Sequence, residues 1–207
     1  VAEMTLLHVD SSPLGESSIS RRLSADIVDH LRQGHPGLEV THRDLAVAPP
    51  PHLDGELLQV VKFQSQDAPS ERQRTELALS AQLVEELLAA DVVVIGAPMY
   101  NFSVPTQLKA WLDRLAQPGR TFRYTETGPQ GLAGGRKVII ASSRGGLYAG
   151  APHEAMMDHQ EAYLRAFLAF IGITDVQVVR AEGVAMGPDA QALAMAAAAE
   201  RISALAL

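Results

Sequence analysis

The chain has 207 residues, 47% of them hydrophobic and 20% charged, a composition that suits an ordinary globular protein, so residues 1–207 are read as a single domain. A net charge of −7 offers no general attraction for phosphate backbones or anionic membrane surfaces, and with no cysteine present disulfides, thiolate catalysis and iron–sulfur ligation by this chain are excluded. No apolar run is long enough for a membrane span, and the run Leu6 to Val9 lacks the basic flank of a signal peptide, so a cytoplasmic protein with neither nucleic-acid nor membrane partners is expected.

Met4 to Asp10 reads as a buried strand that leads into Ser11-Ser12-Pro13-Leu14-Gly15-Glu16-Ser17-Ser18, a cluster of turn formers. Ile19, Leu23, Ile27 and Leu31 then recur at a helical period until Gly34 and Pro36 end the helix. Leu38 to Asp44 fits a second strand, and Pro49-Pro50-Pro51 forbids regular structure after it. Ser70 followed by Gln73 is a capping box at the head of a long helix carrying Leu77, Leu83, Leu87 and Leu88.

The stretch Asp91 to Arg114 comes next and reads as a strand, a turn and a helix. Its apolar run Val92 to Ile95 stops at Gly96, the segment Ala97 to Phe102 is irregular, and a helix begins after Pro105. Leu108, Trp111, Leu112 and Leu115 stand at i, i+3, i+4 and i+7, which puts Trp111 in the core or an interface. Arg120 to Thr125 alternates as a short extended or hairpin segment, too polar for a central strand. Lys137 to Ala141 is a fourth buried strand ending in Ser142-Ser143-Arg144-Gly145-Gly146. One helix is predicted from Glu154 to Ile171, then a fifth strand from Val176 to Val179, and the alanine-rich tail from Asp189 to Leu205 is a helix.

Five buried strands alternating with helices predict a doubly wound parallel α/β sheet with helices on both faces. Its strand order, 2-1-3-4-5 of the flavodoxin type, is taken by analogy. That order would bring three irregular strand ends to one crevice: Ser11 to Ser20, Met99 to Phe102, and Ser143 to Gly146. The first offers serines and free N–H groups at a helix start, where a phosphate is favoured; the alternative is a solvated turn that only caps the helix. It holds neither G-x-G-x-x-G nor G-x-x-x-x-G-K-[ST], so a dinucleotide fingerprint and a P-loop are absent. In the second, Met99, Tyr100 and Phe102 suit a flat ring and Asn101 the edge of a heterocycle. The alternative is that they fold over the helix from Pro105. In the third, Gly145 and Gly146 let a ligand approach the main chain.

Other constellations carry less. His153, Glu154, Asp158 and His159 place their histidines six apart, off a common helical face, so no metal site is expected there. Ser142 and Ser143 lack a G-x-S-x-G elbow. His8 and His42 read as ordinary strand residues.

The segments S-S-P-L-G-E-S-S-I-S, A-P-M-Y-N-F-S-V-P-T-Q-L-K, T-F-R-Y-T-E-T-G-P-Q-G-L and S-S-R-G-G, with F-L-A-F-I-G-I-T-D and A-E-G-V-A-M-G-P later, resemble the FMN-dependent NAD(P)H azoreductases of the AzoR type, from the first strand to about Pro188. The resemblance implies a flavodoxin-like fold, a homodimer with non-covalent FMN, and reduction of quinones and azo compounds by NADH or NADPH. It also implies that Ser12, Ser18, Ile19 and Ser20 hold the phosphate and ribityl chain. Met99, Tyr100, Asn101 and Phe102 would line the isoalloxazine, and Ser143, Arg144, Gly145 and Gly146 would close its other edge. Tyr124 matches a tyrosine near the flavin, and Phe167 a phenylalanine that arrives from the second subunit. The region Leu147-Tyr148-Ala149-Gly150 would shape substrate choice, with Tyr148 among the substrate-contacting residues. In this mechanism the flavin carries the chemistry in a two-electron ping-pong cycle and no side chain is an obligatory acid or base. A one-electron carrier of the flavodoxin kind and a non-enzymatic α/β regulatory module are the competing readings.

Overall fold

A computed structural model describes residues 4–63 and 67–207. The chain runs β1 (Thr5–Asp10), α1 (Ile19–Gly34), β2 (Glu39–Asp44), α2 (Gly55–Val61), α3 (Glu71–Ala89), β3 (Val92–Pro98) and α4 (Thr106–Leu115). It continues through β4 (Phe122–Thr125), β5 (Gly128–Gly131), β6 (Lys137–Ser143), α5 (Glu154–Met157), α6 (Glu161–Phe170), β7 (Asp175–Ala181) and α7 (Pro188–Ser203). Five strands form a parallel sheet in the order β2-β1-β3-β6-β7. The short extended or hairpin segment expected at Arg120 to Thr125 is β4, which pairs antiparallel with β5 outside this sheet.

Side-chain alternation divides the core into two layers. Leu7, Val9, Val93, Ile95, Val138 and Ile140 face one way and meet α3, α4 and α6 through Leu83, Leu108, Trp111, Leu164 and Leu168. Leu6, Val92, Val94, Ile139 and Val179 face the other way and meet α1 and α7 through Leu23, Ile27, Ala198 and Ile202. Every residue of β3 is buried, because this strand is central and covered on both faces. Trp111 is 1% exposed and belongs to the first layer, as its helical spacing predicts.

Local sequence accounts for the ends. Ser70 accepts from the Gln73 N–H while Gln73 reaches back to the Ser70 N–H, completing the capping box of α3. The short helix α2 has no counterpart in the sequence reading; Asp54 caps it by accepting from Leu57 N–H at 3.0 Å.

The single helix predicted from Glu154 to Ile171 is two helices, α5 and α6. Asp158 breaks it. Its Oδ1 accepts from the N–H groups of Gln160 and Glu161, both at 3.1 Å, and so competes with the helical ladder. Its Oδ2 receives the buried Arg144 guanidinium at 2.5 Å.

Candidate active site

The crossovers diverge between β1 and β3: α1 leads outward to β2, whereas the chain after β3 leads toward β6 on the other side. A sheet of this kind binds ligands beyond the carboxyl ends of the strands at that point. The three segments singled out in the sequence meet there. Ser11 Oγ donates to Gly96 O at 2.6 Å, and Ser12 Oγ lies 3.3 Å from Tyr100 Oη, tying the first loop to the second. Met99 N–H donates to Ser143 O at 2.8 Å, tying the second to the third.

The first loop passes through a turn of 3-10 helix, Gly15–Ser17, and enters α1 at Ser18. Ser18 is the N-cap; its Oγ accepts from Arg21 N–H at 3.2 Å and lies 3.1 Å from Ser20 Oγ. Arg22 N–H reaches Ser18 O. The N–H groups of Ile19 and Ser20 come too early in the helix for an intrahelical acceptor. Two hydroxyls, two such N–H groups and the positive end of the α1 dipole therefore gather at one point, which is the donor set a phosphate dianion needs. No arginine is required: the nearby Arg21 is occupied by Asp44 Oδ1 and Oδ2 at 2.7 and 2.8 Å.

In the second loop, Asn101 and Phe102 both adopt left-handed backbone, with φ of 47° and 71°. A bulky residue rarely does so. The turn is closed by paired bonds between Tyr100 and Ser103 and by His159 N–H donating to Phe102 O. This conformation leaves the Phe102 ring 42% exposed and edge-on to Tyr148, with centroids 6.4 Å apart. A flat ring packed here would cover apolar surface that the fold leaves open. The donors at α1 and the rings of the second loop fit the two ends of FMN.

The third loop is set from below. Arg144 has its guanidinium fully buried, bonded to Asp158, Glu161 and Gln160 and close to Glu182. The Arg144 side chain is therefore engaged within the protein, which leaves its main chain as the part that could edge a ring. Burial opposes ionisation of Glu161, yet hydrogen bonds from Arg180 and Ser142 and the charge of Arg144 hold its carboxyl below the usual range. Glu182 accepts from the N–H groups of Tyr148 and Ala149 at 2.7 and 3.0 Å, fixing the segment after the glycines. Gly145 and Gly146 are close-packed as well: a Cβ on them would stand 3.2 Å from Ala185 and 3.3 Å from the Tyr148 ring. Sequence reasoning missed Gln160, which donates to Ala97 O at 2.6 Å, and Glu182. Their only signal was polarity next to apolar runs.

Tyr124 and Phe167 are not brought to this crevice within one chain. The β4–β5 hairpin packs at the opposite end of the sheet, where Gly131 closes on the Gly172 backbone after α6 and Ala133 N–H reaches Ile171 O. Tyr124 is 74% exposed there. Phe167 packs on the α3–α4–α6 layer.

A family model described as a flavodoxin-like fold matches residues 4–206. An FMN-dependent NADH:quinone oxidoreductase of Azospirillum brasilense is 65% identical over 204 residues, covering 99% of this chain and 98% of the relative. A protein of the same name from Ralstonia nicotianae is 60% identical, covering 94% of this chain and 93% of its own. Among solved structures, an azoreductase from Bacillus anthracis superimposes with a TM-score of 0.88 at 27% identity, over 97% of each chain. Among the described residues no helix is long and apolar enough to cross a membrane.

Proposed function

We propose that this chain, which belongs to the flavodoxin-like family, is an FMN-dependent NADH:quinone oxidoreductase that also reduces aromatic azo compounds. The observation that carries this reading is the bonding of three loops into one crevice, through Ser12 with Tyr100 and Met99 with Ser143. The near-full-length identity with named quinone oxidoreductases supports it and favours NADH as the donor. FMN, when bound, would supply the two-electron hydride chemistry between a nicotinamide and a quinone or azo acceptor.

The residues of the chain bind and orient. Ser12, Ser18 and Ser20, with the N–H groups of Ile19 and Ser20, hold the phosphate end; Met99, Tyr100, Asn101 and Phe102 form the ring platform. Ser143, Gly145 and Gly146 edge it through the main chain, and Arg144 and Glu182 keep that segment in place. Phe102 and Tyr148 form an aromatic corner for the incoming planar substrate and exclude water from it. No proton need be delivered by a side chain. Residues 1–207 act as one FMN-binding domain whose five parallel strands follow the flavodoxin-type order. The exposure of Tyr124, far from the crevice of its own chain, supports a homodimer in which Tyr124 and Phe167 complete the partner's site.

Flavin release and identification, followed by steady-state kinetics, tests the reading. Bound FMN and parallel double-reciprocal lines for NADH at several fixed quinone concentrations are expected, with NADPH the poorer donor. Protein that takes up no FMN, or that binds it without oxidising NADH in the presence of quinone, refutes it; the second result would indicate a one-electron carrier.

A further inference from the structure

We propose that His8, Asp10 and His42 form a binding site for one divalent transition cation of the zinc class, separate from the flavin crevice. His8 and His42 are register partners on the adjacent parallel strands β1 and β2. Asp10 lies two residues beyond His8, hence on the same face of the sheet. Three side chains able to ligate a metal thus converge from two rigid strands.

The distances suit a cation. Asp10 Oδ2 is 2.9 Å from His42 Nε2 and 3.3 Å from His8 Nε2. The candidate ligand atoms of the three residues all lie within 4.8 Å of one another. Ligands about 2.1 Å from a tetrahedral zinc stand about 3.4 Å apart, so a small closure or opening of each side chain reaches the required spacing. Room for the carboxylate is built into the sheet: a Cβ at position 96 would stand 2.7 Å from Asp10 Oδ1, and Gly96 has none. Ser24 Oγ donates to that Oδ1 at 2.7 Å, holding the carboxylate from behind as an outer partner.

Charge and access agree. Arg21 Nη1 lies 3.7 Å from Asp10 Oδ2, but the arginine is paired with Asp44 through both oxygens. Asp10, Asp44 and Arg21 together leave one negative charge for the cation. The His42 side chain is 48% exposed and opens a path to solvent, whereas those of His8 and Asp10 are 11% and 6% exposed. Two imidazoles with one carboxylate favour zinc, nickel or copper over magnesium or calcium. On binding, the cation displaces the Nε2 protons by which His42 faces Asp10 and His8 faces Ser24 Oγ, both at 2.9 Å, and each neutral imidazole then carries its proton on Nδ1. The ion would clamp the end of β1 to β2 immediately before Ser11 and Ser12. It would stabilise the fold there without entering the hydride reaction.

The test uses untagged, flavin-loaded protein cleared with chelator and titrated with Zn²⁺ by calorimetry. One equivalent per chain is expected, with a rise in the thermal unfolding midpoint. His42→Ala, at a half-exposed position, should weaken binding by at least the roughly tenfold that loss of even an outer-shell partner costs, and should abolish the thermal shift. His153→Ala with His159→Ala, on exposed histidines elsewhere, should leave both unchanged. Cu²⁺ in place of Zn²⁺ should give a resonance spectrum with two coupled nitrogens. Absence of stoichiometric binding overturns the site, as does binding that survives His42→Ala or disappears in the His153/His159 variant. Flavin absorbance, followed in each sample, reports the FMN site independently.

Discussion

Ser18 separates a helix cap from a phosphate ligand. Its buried hydroxyl accepts from Arg21 N–H at 3.2 Å, which alone would explain a serine at the start of α1. Ser18→Ala removes the cap at a cost of about 1 kcal/mol, whereas glycine at an N-cap loses only a few tenths. For a chain of this size the alanine variant should melt about 2–4 °C lower and the glycine variant almost with the native protein. If the hydroxyl also donates to a phosphate, both variants lose the same bond to a charged group, about 1.5–3 kcal/mol. That is a roughly 10- to 150-fold rise in the FMN dissociation constant. Flavin fluorescence titration of stripped protein, beside thermal unfolding of the same samples, reads both quantities. Equal losses of affinity with unequal losses of stability are predicted. A glycine variant that binds FMN as tightly as the native protein would refute the phosphate role and leave Ser18 as a cap.

Gly131→Ala would put a Cβ 2.1 Å from the Gly172 nitrogen, a backbone clash that should cost about 1–3 kcal/mol or more and lower the melting point by several degrees. Burial alone would raise the Asp10 carboxyl, but bonds with His8, Ser24 and His42 outweigh it and hold it at about 2 against an ordinary 3.8. The stabilisation, about 2 kcal/mol, is therefore present above pH 3.8 and lost as pH falls toward 2; acid unfolding of Asp10→Asn should lack this component. Phe102→Gly removes a ring from a left-handed position, so stability should hold or rise while the quinone KM increases roughly 2- to 12-fold, the value of one aromatic contact. A large loss of stability instead would mean that the ring serves the fold.

The features legible in the sequence are those written in local chemistry. The apolar runs at Leu6, Val92 and Val138, the capping box at Ser70 and Gln73, and the helical spacing of Trp111 each carry their own signal and sit where that signal puts them. The crevice was legible because its loops interrupt strong patterns. Long-range electrostatics was hidden. Nothing near Asp158 announces that a buried Arg144, fourteen residues away, will claim its carboxylate and break a helix there. The pairing of His8 with His42 depends on strand register, which no local pattern fixes when both strands are short. Tyr124 and Phe167 carry no local signal of where they lie, which depends on how the hairpin and α6 pack.

On this reading one crevice, built by three loops, holds FMN and serves donor and acceptor in turn. Anaerobic mixing of the FMN-loaded protein with NADH, before any quinone is added, tests it most directly. The visible absorbance of the bound flavin should bleach with NADH alone and return within one turnover when quinone follows. Absorbance that persists with NADH alone, or that bleaches and does not recover with quinone, contradicts it.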